Sequence, residues 1–203
     1  MSSTFREDPR IRRTRQLIVK AFQELLGEKD FESLTIQEIA DRATVNRVTF
    51  YAHFEDKYAL LDFAFTESFT SELCAQLPPD AEFSRKNLQL LIQTVCEFLE
   101  KSYAHCAPSG RAHVEAGIGQ QLQKQLYEFL VAWLKKTEAD QQTAELRATL
   151  TSWAIYGVSK RWSEGKRKEP VQDFVRQALP MIAASFDVRA NSARNKQAAT
   201  ISV

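Results

Sequence analysis

Two stretches of the sequence hold side chains whose types suit binding or catalytic chemistry. The first lies at 105–115, where two histidines, a cysteine and a glutamate are residue types that bind zinc and similar ions: His105, Cys106, His113 and Glu115. Their spacing matches no zinc pattern, and Ser109 near His113 does not have the spacing of a catalytic triad. The sequence also has no glycine-rich phosphate loop, nucleophile elbow or HExxH motif. We therefore expect no metal, no cofactor and no enzyme active site.

The second stretch is the amino-terminal segment, where positive charge is concentrated. Five arginines stand against one glutamate and one aspartate there: Arg6, Arg10, Arg12, Arg13 and Arg15. The whole chain has a net charge of only +1, from 27 basic and 26 acidic residues, so any attraction for a polyanion must be local. The alternative is an ordinary solvated face, which is how we interpret the second basic run at 160–168.

Helices are the elements that must position these groups. The chain has 203 residues with only six glycines and six prolines, and apolar residues recur at helical spacing, so we predict an all-α fold of about nine helices. No apolar run approaches the ~18 residues of a membrane span, and the first residues do not resemble a signal peptide. With three cysteines, the chain is expected to be cytoplasmic, with free thiols and no membrane partner.

Capping signals divide the first part of the chain into short helices. Thr35 and Glu38 form a capping box that opens a helix at 36–42, and Asn46 can cap another at 47–53. Neither helix is long enough to be stable alone, so both need a small core. The residues expected to supply it are Ile36, Ile39, Ala40, Val45, Val48, Phe50 and Phe54.

Longer helices flank this pair. The first is predicted from residue 9 or 10 to 26, and another, capped by Asp56, is predicted to extend to about residue 77. Two short helices joined by a tight turn and packed on a longer helix are typical of a helix-turn-helix domain. In that domain the third helix enters the DNA major groove, which is wide enough for one helix.

The same stretch resembles the TetR family of regulators. The sequence LTIQEIADRATVNRVTFYAHFEDKYALLDFAF resembles that family's pattern, and the whole match covers about 50 residues. The matching residues are Thr35, Ile39, Ala40, Val45, Thr49, Phe50, Tyr51, His53, Phe54 and Lys57. Thr44 stands where the family usually has glycine, so this threonine must tolerate the dihedral angles of the turn.

The resemblance implies roles for individual residues of the helix-turn-helix domain at 1–57, which we call the headpiece. Base reading is implied for Arg47, Thr49 and Ala52, with the Arg47 guanidinium suited to guanine and the Thr49 methyl to a thymine methyl. Phosphate contacts are implied for Thr35, Tyr51, His53, Lys57, Arg10, Arg12 and Arg13. For two of these a plainer role stays open: Tyr51 can be surface of the small core, and His53 can be a packing residue.

TetR-like regulators act as homodimers, and the resemblance implies the same here. The last two long helices of such proteins form a four-helix interface, which corresponds to 142–164 and 170–186 in this chain. The implied interface residues are Trp153, Gly157, Phe174, Ala178 and Ile182. The alternative is that they belong only to the core of one chain. A dimer implies a palindromic operator in double-stranded DNA.

The resemblance also implies an unknown small-molecule effector. In the family's mechanism, a ligand in the helical body favours a separation of the two headpieces that cannot span both half-sites. The helix predicted from Asp56 to about residue 77 can transmit this change, since it carries Lys57 at one end and Phe65 and Phe69 deeper in the body. Aromatic residues that could line the pocket are Phe65, Phe69, Phe98, Tyr103, Phe129 and Trp133. The alternative is that these aromatic residues are plain core.

We therefore predict three parts: a helix-turn-helix domain with its amino-terminal arm at 1–57, a helical regulatory and dimerisation domain at 58–187, and a disordered tail at 188–203. A loop or short helix is predicted at 105–119. The expected function is a repressor that a small molecule releases from its operator. The competing hypotheses are an enzyme, and a helical interaction module whose headpiece no longer binds DNA.

Overall fold

The computed structural model describes residues 8–77, 81–104, 111–136, 140–165 and 169–184, except for the side chains of 111–117. Arg6 and the predicted tail at 188–203 lie outside these residues. The structure also does not describe His105, Cys106 or the side chains of His113 and Glu115, the four residues whose types suit a metal site.

The prediction of an all-α fold is confirmed. The helices are α1 (Pro9–Glu28), α2 (Ile36–Arg42), α3 (Arg47–Tyr51), α4 (Lys57–Gln76), α5 (Arg85–Ala104), α6 (Arg111–Leu134), α7 (Gln141–Glu164) and α8 (171–184). A single 3-10 turn, Phe31–Ser33, separates α1 from α2. Among the described residues, no helix has both the length and the apolar character that crossing a membrane requires.

Most helix boundaries agree with the capping signals in the sequence. The Asp56 carboxylate accepts hydrogen bonds from the Tyr58 and Ala59 amides at 2.8 and 2.7 Å, which caps α4 as predicted. The prediction for 105–119 was wrong in its second half, because α6 begins at Arg111 and continues without a break. Glycines at 117 and 119 weaken a helix by about 1 kcal/mol each but do not end one whose other residues pack well.

The chain forms two compact units, and their boundary differs from the predicted one at residue 57. Unit 1 comprises Met1–Ser68 and Ser102–Gln121, and unit 2 comprises Phe69–Lys101 and Leu122–Val203. The part of α4 up to Ser68 belongs to unit 1, and Leu60, Leu61 and Ala64 in it are buried. Helix α4 therefore carries residues of both units.

The core of unit 1 is built around aromatic rings. Phe22 of α1 meets Phe31 of the 3-10 turn edge to face at 6.1 Å, and Phe31 meets Tyr58 of α4 at 5.1 Å. Phe54 contacts Phe63 at 5.5 Å. These contacts join α1, the turn before α2, and the start of α4 around the two short helices.

Unit 2 has its own core. The rings of Phe69 and Phe98 lie 5.2 Å apart, and those of Phe129 and Trp133 lie 4.5 Å apart. The Cys96 thiol is fully buried, with its sulfur 3.3 Å from the Ser159 hydroxyl, and burial raises the pKa of Cys96 to about 11. This thiol is therefore protonated and unreactive at neutral pH.

Ion pairs join α1 to α2 on the surface of unit 1. Both oxygens of the Glu28 carboxylate accept from the Arg42 guanidinium at 2.8 Å, and Lys29 is paired with Glu38. The hydrogen bond from Lys29, together with those from the Thr35 backbone and hydroxyl, lowers the pKa of Glu38 to about 2. The carboxylate of Glu38 thus links α2 to the end of α1.

We predict that Glu38→Gln removes part of the acid sensitivity of the fold. A carboxyl with a lowered pKa in the folded state adds stability above its unfolded pKa of about 4.3, and this stability is lost as pH falls towards the folded value. Glutamine keeps the cap but carries no charge. The urea midpoints of wild type and variant are therefore expected to converge between about pH 6 and about pH 2.

The control for this measurement is Glu67→Gln, a charge removal on the exposed side of α4. Its urea midpoint is expected to follow wild type at every pH. If Glu38→Gln shifted the midpoint by the same amount at all pH values, the ionic contribution of Glu38 would be disproved.

Candidate nucleic-acid interface

Helix α2 begins with the capping box predicted from the sequence. The Glu38 amide donates to the Thr35 hydroxyl oxygen at 3.3 Å, and the Thr35 amide donates to the Glu38 carboxylate at 3.0 Å. The Thr35 hydroxyl itself donates to the same carboxylate at 2.8 Å. The Thr35 proton is thus already used beside a negative charge, which does not favour the phosphate contact expected for this residue.

The turn between α2 and α3 contains the backbone conformation that the family's glycine would suit. Thr44 has a φ of 57°, the single positive φ among the described non-glycine residues. Such a conformation costs a β-branched residue on the order of 1–3 kcal/mol. The Val45 amide donates to the Ala40 carbonyl at 2.9 Å, which holds the turn closed despite that cost.

Helix α3 has five residues and depends on its cap and on one buried ring. The Asn46 side chain accepts from the Thr49 amide at 2.7 Å and from the Thr49 hydroxyl at 3.0 Å. Phe50 is fully buried against Phe54, with ring centroids 5.9 Å apart. The remaining side of the helix, with Arg47, is exposed.

Arg47 is supported by the next turn of its own helix. Its guanidinium carbon lies 6.0 Å from the centre of the Tyr51 ring, and its Nη2 lies 3.5 Å from the Tyr51 hydroxyl oxygen. Stacking of this kind limits the rotamers of an exposed arginine and leaves other donors of its planar fork available. Tyr51 therefore positions Arg47, whether or not it also contacts a phosphate.

The exposed side of α3 includes one residue that the sequence placed in the core. Val48 is 79% exposed, so its assignment to the small core was wrong. Four other members of that predicted core are buried: Ile39, Ala40, Phe50 and Phe54. Valine fits either environment by composition, and with only five residues in α3 there was no apolar periodicity to decide its face.

Lys57 has a structural role that the sequence did not reveal. Its ammonium donates to the carbonyls of Phe31, Glu32 and Leu34 at 3.0, 2.9 and 3.2 Å. It also lies 4.8 Å from the centre of the Phe31 ring. An ammonium has three N–H donors, and all three are used here, so the structure does not favour the phosphate contact expected for Lys57.

The other predicted phosphate contacts lie on α1 and after α3. Arg10, Arg12 and Arg13 are exposed on the first turns of α1, and their phosphate contacts stay a prediction. His53 is half-buried, with its ring centroid 6.4 Å from that of Phe54, so it has at least a packing role. Ala52 is exposed at the end of α3.

The residues predicted to form the dimer interface fall into two groups. Trp153 and Gly157 are exposed on α7. Ala178 and Ile182 are buried in unit 2 with only 7% and 5% exposure, and Phe174 packs on Trp162 at 6.1 Å. Ala178 and Ile182 thus pack in the interior of unit 2, and an interface role for them stays a prediction.

The aromatic residues proposed for a ligand pocket are mostly interior. Phe69, Phe98, Tyr103 and Trp133 are buried, while Phe65 and Phe129 are half-buried. The close ring contacts within unit 2 described above are those of a packed core. The ring contacts thus support a core role for Phe69, Phe98, Phe129 and Trp133, and a ligand role for any of the six residues stays a prediction.

Comparison with known proteins agrees with the geometry of the headpiece. Residues 18–63, from the middle of α1 into α4, match the model of the bacterial regulatory proteins of the tetR family. The headpiece of this chain is therefore of the TetR type. The match includes both short helices, the turn with Thr44, and Lys57.

Two relatives of this chain come from Bacillus subtilis (strain 168), and both are described as uncharacterized HTH-type transcriptional regulators. YxbF is 37% identical over 71 residues, which are 34% of this chain and 17% of YxbF. YdeS is 33% identical over 92 residues, which are 45% of this chain and 44% of YdeS. The aligned parts thus span less than half the length of either relative.

The fold likeness extends well beyond the headpiece. A TetR transcriptional regulator from Streptococcus agalactiae 2603V superposes with a TM-score of 0.54 at 23% identity, covering 89% of this chain and 99% of that one. At this identity the likeness concerns the fold alone. The helical body, as well as the headpiece, thus has a fold similar to that of this regulator.

We predict that Lys57→Met destabilises the protein by about 2 kcal/mol or more, because three carbonyls lose a charged donor. The free energy of unfolding, measured in urea, tests this. The matched control is Lys20→Met, since the Lys20 side chain is 76% exposed and its ammonium lies 4.0 Å from the Glu24 carboxylate. Equal stability of wild type and Lys57→Met would show that Lys57 does not hold this turn.

Proposed function

We propose that the chain is a DNA-binding transcriptional regulator that inserts α3 into the major groove. The observation that carries the proposal is the exposed side of α3, where the Arg47 guanidinium is stacked on Tyr51 above the buried Phe50. An arginine held in this way can donate two hydrogen bonds to guanine O6 and N7. The arginines at the start of α1 would add phosphate contacts.

The family supports binding rather than catalysis. The relatives are regulators by description, and regulation of this kind requires access to DNA, which implies the cytoplasm of a bacterium. A helical interaction module without DNA binding is the competing hypothesis. It gives no reason for an exposed, ring-supported arginine beside a strained turn that holds α3 in place.

The experiment is a binding titration of the full chain against duplex DNA from beside its own gene, at stated salt. We predict that Arg47→Ala relaxes specificity and costs about 1–3 kcal/mol at one base pair. The control is Lys124→Ala, which removes the same charge from an exposed site on α6. An equal loss on all DNA sequences would exclude base reading by Arg47, and no binding by wild type would favour the interaction module.

A homodimer is the proposed assembly, and α7 supplies its face. Apolar residues spaced by four, three and four positions lie along one side of this helix: Leu146, Leu150, Trp153 and Gly157. The first three are 60%, 65% and 56% exposed, and Met181 of α8 is 77% exposed. A continuous exposed apolar strip of this kind is typical of a protein interface, and Leu146, Leu150 and Met181 extend the set named from the sequence.

We predict that Leu150→Glu converts a dimer into a monomer at micromolar concentration. In a twofold interface the substitution places two carboxylates in apolar surroundings, which is expected to raise the dissociation constant by about 100-fold or more. Size-exclusion chromatography with light scattering measures the mass. The control is Leu17→Glu, at a 46% exposed leucine on α1 that is expected to leave the dimer intact. A wild-type monomer would contradict the proposed assembly.

Release from a palindromic operator by a small molecule is the proposed regulation, with the chain acting as a repressor. Support comes from polar groups buried in unit 2. Thr151 of α7 is 1% exposed, and its hydroxyl has no hydrogen-bond partner among the described residues. Ser152, also buried, accepts from the Gln123 amide at 3.2 Å. A buried hydroxyl without a partner costs about 1–3 kcal/mol, and a polar effector group could supply that partner.

A further inference from the structure

Neither packing nor helix stability explains why a valine occupies the exposed position 48. At 79%, it is more exposed than any other large apolar side chain that the structure describes. It adds nothing to the small core. It also adds nothing to helix stability, since valine has a lower helix propensity than alanine. Its place on α3 therefore points to a partner.

The geometry of α3 sorts its exposed residues into two strips. Arg47 and Tyr51 are four residues apart and touch, as described above. Val48 and Ala52 are also four residues apart, so they lie one above the other beside the arginine strip, and both are exposed. Helix α3 therefore presents a hydrogen-bonding strip next to an apolar strip.

Thr49, which the family resemblance assigned to a thymine methyl, is less suited to that role. It is half-buried, and both its amide and its hydroxyl donate to the Asn46 side chain. Its position is thus set by the cap of the helix. The apolar groups that remain open to solvent on α3 are those of Val48 and Ala52.

We infer that Val48, with Ala52, packs on the 5-methyl group of a thymine in each operator half-site, beside the guanine that Arg47 reads. This rests on the proposed DNA binding. Among the four bases, thymine alone presents a methyl group in the major groove, and apolar side chains recognise it by contact. The contact would bury on DNA the surface that Val48 exposes in the free protein.

The test begins with the operator, which the protein itself can select. Full-length protein is used to enrich binding sequences from randomised duplex DNA, and the enriched site is resynthesised with each thymine replaced in turn by uracil. This replacement removes one methyl group and keeps base pairing. At one position per half-site, wild type is expected to bind about fourfold more weakly, which corresponds to about 0.8 kcal/mol for one buried methyl.

Two variants identify the side chain responsible. Val48→Ala is expected to bind the sites with thymine and with uracil at that position equally well. The variant is expected to fold as wild type does, because the Val48 side chain is exposed. Arg47→Ala is the matched control on the same helix. It is expected to lose discrimination at guanine and to keep the fourfold preference for thymine.

Three outcomes would overturn either the methyl contact of Val48 or the proposed DNA binding. Indifference of wild type to every thymine-to-uracil change would refute methyl recognition. A thymine preference that survives Val48→Ala would refute the role of Val48 and assign the methyl contact to another residue, Ala52 or Thr49. Enrichment of no DNA sequence at all would overturn the proposed function, and the inference with it.

Discussion

The geometry of the headpiece depends on one constraint, which is that a helix of five residues cannot hold itself together. Helix α3 has its Thr49 amide capped by the Asn46 side chain and its position set by the buried Phe50. It follows a turn in which Thr44 adopts a left-handed conformation. Each of these comes from outside the exposed side of the helix. The exposed side of α3 therefore does not hold the helix in place, and Arg47 and Val48 on it are available to a partner.

The elements around α3 are held by charge as much as by apolar packing. The Lys57 ammonium bonds three carbonyls between α1 and α2, while Glu38 joins the cap of α2 to Lys29. Charged hydrogen bonds of this kind are directional, so they set the position of the turn before α2 more narrowly than burial alone. A base-reading helix needs that narrow positioning, because its contacts depend on distances of a few tenths of an ångström.

In unit 2, by contrast, the interior is formed by apolar packing of aromatic rings. One of its helices, α7, has an exposed apolar side and a buried side that includes polar residues. Its outer side carries the exposed Leu150 and Trp153, and its inner side carries the buried hydroxyls of Thr151 and Ser152. Neighbouring residues on a helix point about 100° apart, so one helix can serve a partner surface and an interior at once. Assembly and effector binding, if both use α7, would then be linked through a single rigid element.

The sequence by itself determined the all-α class, the positions of most helices, and the caps of α2, α3 and α4, because these depend on residue types within three or four positions of one another. It also determined the likeness of the headpiece to the TetR family, through residues spaced at fixed intervals. Only the tertiary structure decided that Lys57 bonds carbonyls of the preceding turn, that Val48 is exposed while Phe50 is buried, and that Ala178 and Ile182 are core. Each of these depends on which surface of a short or amphipathic helix meets distant parts of the chain, and local residue patterns do not specify that contact.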